Sequence, residues 1–403
     1  MPERAARRPA RASRLGWRLL LAAVLLLAAW LPAAAAPRIA VLTMQPGEIF
    51  FERFGHNAIV VADPATGEAT SYNFGYFDPG EPGFVARFIR GDMQYQLAAL
   101  PLEQDLAYYR DVGRGVDIQW LDLAPEIAAE LAGQLAWNAR PENARYGYDY
   151  FLDNCSTRVR DALDRALGGT LRPQLAGSRG STYRSEATRL ARPAPWMWLG
   201  FDLGLGPASD RPLSLWDEAF VPMRLQDQLR RARTPDGHPL VLHEERILPH
   251  RLPPEPAEKP RRSWPWLLGG LVLAAAATWM ARIRPRLAAG AALSFWLLCT
   301  VLAALMLFIW LGTDHRFGWA NRNLLVLSPL CALLLPGAIR LLRGRRRPGA
   351  VFRLLLWVPV GTTVMAWFVH GLSRFPQQNL HWILLLLPVH AALAWAWGRR
   401  PVS

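Results

Sequence analysis

The stretch YGYDYFLDNCSTRVRDALDRALGG, residues 146–169, carries the strongest structural signal in this chain. After Cys155 the apolar side chains recur at helical spacing, and the charged ones occupy the other face. The Asp153-Asn154 pair is suited to cap a helix, and the Gly168-Gly169 pair is suited to end one. The pattern therefore predicts a helix with Cys155 in its first turn, where free backbone N–H groups and the helix dipole stabilise a thiolate.

Upstream, the stretch FGHNAIVVADPATGEATSYNFGYF, residues 54–77, predicts a β-hairpin. Its strands are expected at residues 58–62 and 69–77, and His56 opens the hairpin beside a sheet edge. A histidine on a strand that faces a cysteine at a helix N-terminus is the arrangement of papain-like thiol enzymes. We therefore predict that His56 and Cys155 form a catalytic pair.

The third catalytic group should accept a hydrogen bond from the second ring nitrogen of the imidazole. Asn73 on the returning strand is the candidate, and Asn57, Tyr72 and Tyr76 are the alternatives. The register of the hairpin decides between them, because a slip of one residue turns another side chain to the same face. The interpretation of Asn73 as an ordinary strand-end residue stays equally open.

Four side chains are candidates for substrate contacts: Asn154, Arg158, Tyr76 and His315. Asn154 either contacts substrate or only caps the helix, and Arg158 either binds a lipid phosphate or covers the solvated helix face. His315 follows Asp314 in a predicted outer loop, where it either handles a headgroup or amine or makes a structural bond. The Trp-rich segment 195–199 indicates either a membrane-facing surface or core packing.

The composition divides the chain into an exported half and a membrane half. Hydrophobic residues make up 52% of the 403 residues and charged residues only 19%, which is too apolar for an ordinary soluble protein. Residues 1–36 predict a signal peptide or a retained signal anchor. Residues 37–252 are expected to form a periplasmic catalytic domain, and the proline-rich segment 253–263 a semi-rigid linker.

The remaining residues, 264–398, predict five membrane-spanning helices. The apolar runs are 264–280, 287–312, 324–342, 350–370 and 380–398. Arginines are dense in the first and third connectors and in the tail, residues 399–403, and sparse in the other connectors. The positive-inside rule therefore places the tail in the cytoplasm and the first domain outside, in a protein of the bacterial inner membrane. Two outer loops share an echo, NRNL at 321–324 and QQNL at 377–380, which indicates either helix capping or a functional role.

The formal net charge of +14 raises the question of nucleic-acid binding. The arginines follow the pattern of topology signals, and export excludes that partner. We predict no cofactor and no metal site, since His238 and His243 lack a third ligand at suitable spacing. Cys155 is the only cysteine of the exported domain, and a lone thiol in an oxidising compartment is a liability unless the protein uses it.

Five motifs together resemble the exported domain named after Lnb, a bacterial lipoprotein N-acyltransferase. They are FGHNAIVV at 54–61, YNFGYF at 72–77, FIRGDMQYQL at 88–97, YDYFLDNCSTRVRDAL at 148–163 and LGPASDRPLSLWDEAFVP at 205–222. The likeness continues into the membrane half, through TDH at 313–315, NRNLL at 321–325 and PQQNL at 376–380. It implies a circularly permuted papain-like fold, similar to NlpC-type hydrolases, with the catalytic histidine and cysteine at His56 and Cys155.

The resemblance also implies an activity with two membrane-bound partners. A phospholipid would donate a fatty acyl chain to Cys155, and the resulting thioester would pass it to the N-terminal amine of a diacylglyceryl-modified lipoprotein. Two other interpretations stay open. One is a cysteine peptidase or amidase acting on cell-envelope peptides, and the other is a non-catalytic envelope assembly protein in which Cys155 and His56 are simply buried.

Overall fold

The computed structural model describes residues 36–344 and 349–398. They form an α+β domain followed by a group of apolar helices, so the predicted mixed class of the first half is confirmed. The predicted tail and, apart from Ala36, the predicted signal segment lie outside the described residues.

A seven-stranded antiparallel sheet forms the centre of the α+β domain, in the order β6-β4-β3-β2-β1-β5-β7. The strands are β1 (Arg38–Met44), β2 (His56–Ala62), β3 (Ala69–Tyr76), β4 (Met93–Pro101), β5 (Val116–Leu121), β6 (Arg145–Tyr148) and β7 (Val241–Leu248). The consecutive strands β1 to β4 are neighbours, so local hairpins build the middle of the sheet.

Helices cover both faces of this sheet. They are α1 (Phe84–Arg90), α2 (Leu102–Asp111), α3 (Pro125–Asn138), α4 (Cys155–Ala166), α5 (Leu171–Gln174), α6 (Tyr183–Ala191), α7 (Pro195–Gly204), α8 (Leu215–Glu218) and α9 (Pro222–Leu229), with 3-10 turns at Phe50–Glu52 and Pro207–Asp210. Side chains alternate along a strand, so β1 and β2 contribute apolar residues to two separate cores. One core contains α3 and α4, and the other contains α2.

The two stretches that dominate the sequence analysis fold as predicted. The hairpin turn closes through backbone hydrogen bonds between Asp63 and both Gly67 and Glu68, and β2 begins two residues earlier than expected, at His56 itself. Helix α4 begins at Cys155 with Asn154 as its N-cap. The Gly168-Gly169 pair follows the end of α4, and both glycines have positive φ, which favours residues without a Cβ.

Strand β7 was not predicted. Residues 238–250 look like a polar approach to the linker, yet 241–248 pair with β5 and become the edge of the sheet. The strand is polar because it is an edge: Leu248 is buried, while all seven of its other residues are half-buried or exposed. Its pairing partner lies more than 100 residues away in the chain, so no local turn signals it.

Four helices of the described residues are long and apolar enough to cross a membrane, and a bent pair of segments makes five if it is counted as one span. The continuous spans are α10 (Trp264–Ile283), α11 (Pro285–Gly312), α13 with α14 (Ala350–Leu355 and Trp357–Leu372) and α15 (Leu380–Gly398).

The third predicted span, residues 324–342, is not one α-helix. It consists of 3-10 segments Arg322–Leu325 and Pro329–Leu334 followed by α12 (Leu335–Leu342). The chain bends by 44° between the parts Arg316–Leu325 and Pro329–Leu342. Ser328 caps the second segment, and Pro329 and Pro336 lack the N–H groups that a continuous helix needs. Hydropathy predicts an apolar run, but these residues interrupt its hydrogen-bond ladder.

Candidate active site

The N-terminus of α4 is held in place by Asn154. Its Oδ1 accepts a hydrogen bond from the Thr157 N–H at 2.9 Å, and Thr157 Oγ1 accepts one from the Asn154 N–H at 2.8 Å. Asn154 Nδ2 donates to the carbonyl oxygens of Tyr150 and Phe220. This capping box accounts for the side chain of Asn154, which the sequence analysis weighed between a cap and a substrate contact.

Cys155 is the first residue of α4, and its thiol is buried against His56. The sulfur is hydrogen-bonded to the His56 side chain and to the backbone N–H groups of Asn57 and Ser156. Burial raises the pKa of the Cys155 thiol, but the charge and hydrogen bond of His56 and the two N–H groups outweigh it and hold the pKa below its ordinary value. The site therefore favours a thiolate.

His56 is held between Cys155 and Asn73. Its Nε2 lies 3.0 Å from Asn73 Oδ1. The Asn73 amide orientation is determined by its Nδ2, which donates to Asp105 Oδ2 at 2.9 Å and to Ser71 Oγ at 3.0 Å. Asn73 Oδ1 is therefore an acceptor, Nε2 carries a proton, and Nδ1 is the ring nitrogen left for the thiol.

The surroundings of His56 favour its charged form. Burial lowers the pKa of the His56 imidazole, but the Cys155 charge and hydrogen bond, then Asp105 and Asn73, raise it above its ordinary value. The raised pKa of His56 and the lowered pKa of Cys155 both favour an imidazolium beside a thiolate. Such a pair supplies a nucleophile and a proton donor at the same point.

Asp105 is the site residue that sequence reasoning missed. It lies on α2, is buried, and accepts hydrogen bonds from Ser71 Oγ at 2.6 Å and from Asn73 Nδ2. A signal was present: Leu102, Asp105, Leu106 and Tyr109 follow helical spacing, so an acidic side chain interrupts an otherwise apolar stripe. A carboxylate on the buried face of a helix needs a buried partner.

The alternatives to Asn73 are placed elsewhere. The Asn57 side chain donates to Leu42 O at 3.0 Å and to Thr43 Oγ1 at 2.9 Å on β1. Tyr72 is adjacent to Asn73 on β3 and belongs to the core on the opposite face of the sheet. Tyr76, also predicted as a substrate contact, is 49% exposed at the end of β3.

Arg158 and His315 make protein contacts. The Arg158 guanidinium donates to both oxygens of Asp153, at 2.6 and 2.8 Å, and lies 3.6 Å from the ring centre of Tyr146. A phosphate at this position would compete with the Asp153 carboxylate. His315 Nε2 lies 3.0 Å from the carbonyl oxygen of Phe88, so this outer-loop residue joins the membrane half to the α+β domain.

Gly75 lies close to Cys155, and its lack of a side chain leaves room for the cysteine. Its φ is +88°, and it lies at an irregularity in the pairing of β3 with β4, between Asn73 and Tyr76. A Cβ at this position would lie 3.3 Å from a ring carbon of Tyr148 and 3.8 Å from Cys155 Cβ. Glycine therefore serves both the strand conformation and the close approach of α4.

The fold and the site define a membrane protein whose α+β domain carries a buried cysteine–histidine pair at a helix N-terminus. Residues 30–187 match the family model described as the Lnb N-terminal periplasmic domain. The predicted family is thus confirmed, and the domain is periplasmic and anchored by apolar helices. No curated protein and no solved structure matches the chain.

Proposed function

We propose that this protein is a thiol-dependent acyltransferase of the bacterial inner membrane. It moves a fatty acyl chain from a phospholipid, through a thioester on Cys155, to the N-terminal amine of a diacylglyceryl-modified lipoprotein. The observation that carries the proposal is the hydrogen-bonded chain from Asp105 through Asn73 and His56 to Cys155. The site residues lie within the matched periplasmic domain, whose fold we propose to be a permuted papain-like one.

The first half-reaction forms the acyl-enzyme. His56 Nδ1 takes the thiol proton, and the thiolate of Cys155 attacks the carbonyl carbon of the donor ester. The ester C–O bond breaks, and the imidazolium returns the proton to the departing oxygen, which releases a lysophospholipid. Asn73 keeps the imidazole in the required tautomer throughout, because Nε2 stays bonded to its Oδ1.

The second half-reaction transfers the acyl chain. The acceptor amine attacks the thioester carbonyl, His56 takes a proton from the nitrogen, and the C–S bond breaks to restore the thiolate–imidazolium pair. Thioesters react readily with amines, so the covalent step divides one difficult transfer into two easier ones. The spanning helices tether the periplasmic domain to the membrane that holds both substrates, which raises the effective concentration of the substrates at the thiol.

The test uses the full-length protein in phospholipid nanodiscs with a synthetic diacylglyceryl lipopeptide. We expect triacyl lipopeptide and lysophospholipid in equal amounts, and an acyl adduct on Cys155 by intact-mass and peptide mass spectrometry. Cys155→Ser should abolish turnover, whereas Cys299→Ser, which changes a buried thiol of the membrane half, should retain it. Cleaved peptides with intact lipids would instead establish an amidase, and wild-type protein with neither products nor adduct would refute acyl transfer.

A further inference from the structure

Aromatic rings form a continuous row across the periplasmic domain, and the proposed chemistry does not use them. Successive ring centres along this row lie 4.4, 4.7, 5.4, 6.3 and 6.3 Å apart. We call it the aromatic row, and in order it consists of Tyr148, Tyr95, Phe77, Phe84, Phe88 and Phe50. Trp196 of α7 stacks on its far end, 6.1 Å from the ring of Phe50.

The inner end of the row lies beside the nucleophile. A ring carbon of Tyr148 is 3.3 Å from the Cβ position of Gly75, and that position is 3.8 Å from Cys155 Cβ. Tyr148 at this end is half-buried and Tyr95 is 8% exposed, while the exposed fraction reaches 36% for Phe88 and 64% for Trp196 at the far end. The row therefore begins next to the thiol and opens at the surface of the domain.

Helix α1, which supplies Phe84 and Phe88, is an apolar helix on the outside of the domain. All seven of its residues are half-buried or exposed, although its sequence is FVARFIR. Val85 and Ile89 are 63% and 48% exposed on it. A short helix that leaves so much apolar surface in contact with solvent is typical of a site that binds an apolar partner.

The open end of the row lies beside the ends of two helices that are long and apolar enough to cross a membrane. The loop that follows spanning helix α11 contacts α1, through the His315 bond to Phe88 O and a 2.7 Å bond from the Asp314 N–H to Arg90 O. On the other side, Trp198 of α7 stacks on Trp266 in the first turn of α10. The exposed aromatic face is thus bounded by the ends of two candidate spanning helices, a position that favours a lipid partner over a soluble one.

We propose that the aromatic row binds the fatty acyl chain of the phospholipid donor and guides its ester to Cys155. A single acyl chain is long, flexible and apolar, and a row of rings that runs from the bilayer surface to a buried thiol matches that shape. This inference rests on the proposed function, since it names the path of the donor to the same nucleophile. A protein segment or the acyl chains of the acceptor are the competing occupants.

The first experiment tests binding without any need for turnover. A phospholipid with a diazirine in one acyl chain is incorporated into nanodiscs with the full-length Cys155→Ser protein, irradiated, and the labelled peptides are mapped. We expect adducts on α1 and on the segment that contains Phe50, and a lower yield at both when unlabelled phospholipid is in excess. Adducts confined to the spanning helices would overturn the proposal, whatever the activity of the enzyme.

The second experiment separates chain binding from chemistry. Phe88→Ser in the full-length protein is compared with Trp137→Ser, which changes an aromatic residue of α3 that is 56% exposed outside the row. Acylation of Cys155 is measured with a long-chain phospholipid and with p-nitrophenyl acetate, whose acetyl group needs no chain site. We expect Phe88→Ser to slow acylation by the phospholipid about tenfold or more and to leave acetylation unchanged.

The outcomes distinguish the two proposals. Equal losses with both donors, or the same loss in Trp137→Ser, would mean that the row only supports the fold and would overturn the inference. Failure of the proposed function has a different signature, because wild-type protein would then show no acyl adduct from phospholipid, while the crosslinking pattern still reports whether lipid occupies the row.

Discussion

The connected side chains that activate Cys155 run from one face of the sheet to the other. Asp105 comes from the helix on one face and Cys155 from a helix on the other, and the strand residues Asn73 and His56 connect them. Each member limits the freedom of the next: the carboxylate orients the amide, the amide orients the imidazole, and the imidazole stabilises the thiolate. A buried network of this kind is useful only when every member has its partner.

The pH dependence of alkylation should report this coupling. The thiolate is the form that reacts with iodoacetamide, and the lowered pKa of Cys155 means that it persists at a pH below the ordinary thiol value. In His56→Ala the burial that raises the Cys155 pKa remains while the main opposing influence is lost, so the alkylation midpoint should move to higher pH. Peptide mass spectrometry across a pH series measures this midpoint. An unchanged midpoint in His56→Ala would show that His56 does not lower the pKa of the Cys155 thiol.

Asn73→Ala should slow acylation of Cys155 while leaving the nucleophile in place. A hydrogen bond to a charged group contributes about 1.5–3 kcal/mol, which corresponds to roughly 10- to 100-fold in rate. Asn57→Ala is the matched control, because Asn57 is an equally buried asparagine of the same hairpin whose side chain bonds to β1. Single-turnover rates measure the effect, and equal losses in both variants would assign Asn73 a structural role only.

The ends of individual helices and strands determine where the site residues lie. Helix α4 presents Cys155 because its capping box stops the helix at Asn154, and β3 leaves room for the thiol because Gly75 adopts a positive φ. Helix α6 begins with the same type of box, formed by Thr182 and Ser185. The part of the chain that the structure describes therefore has a capping box at the start of each of these two helices, and one of them adjoins the nucleophile.

Replacing each cap residue by alanine should distinguish an effect on the free energy of unfolding from an effect on the reactivity of Cys155. Asn154→Ala and Thr182→Ala should each lower the free energy of unfolding by about 0.5–2 kcal/mol, since each loses a side-chain acceptor for a helix N–H group. Only Asn154→Ala should also slow alkylation of Cys155, because it additionally loses the bonds to Tyr150 O and Phe220 O that hold the start of α4. Thermal unfolding and iodoacetamide rates provide the comparison, and a slowed thiol in both variants would contradict a local effect.

The molecule as a whole is joined by the two outer loops that share the NRNL and QQNL echo. Gln377 donates to Asn321 and Asn379 donates to Asn323, each at 2.9 Å, so the echo forms paired amides. Both asparagines of the first loop donate to Leu203 O at the C-terminus of α7. Asn321 also caps a 3-10 segment, so the capping interpretation is correct in part. The loops thus attach the membrane half to the periplasmic domain.

Breaking this junction should uncouple the domain from its lipid substrate. Asn323→Ala leaves the buried Asn379 amide without its acceptor, at a cost of about 1–3 kcal/mol for the unsatisfied group, and removes one of the two donors to Leu203 O. We expect a lower unfolding temperature and slower acylation by phospholipid, with acetylation by p-nitrophenyl acetate retained. Gln378→Ala is the control, since that neighbouring amide makes one long bond of 3.4 Å to Thr182 Oγ1. Equal transition temperatures in the two variants would show that the paired amides do not hold the membrane half and the periplasmic domain together.

Local patterns were sufficient for the parts of this protein that depend on neighbouring residues. Helical spacing and capping residues predicted α4 with Cys155 at its start, and a turn between two β-rich runs predicted the hairpin of His56 and Asn73. The contact of Asp105 with Asn73, the pairing of β7 with β5, the break at Pro329 and the paired amides of the two loops were beyond such patterns. Three of these four join residues more than 30 positions apart, and side chains at that separation meet only when the topology of the sheet and the packing of the helices bring them together. The break follows a different rule, because hydropathy registers apolar side chains and not the backbone hydrogen bonds that proline removes.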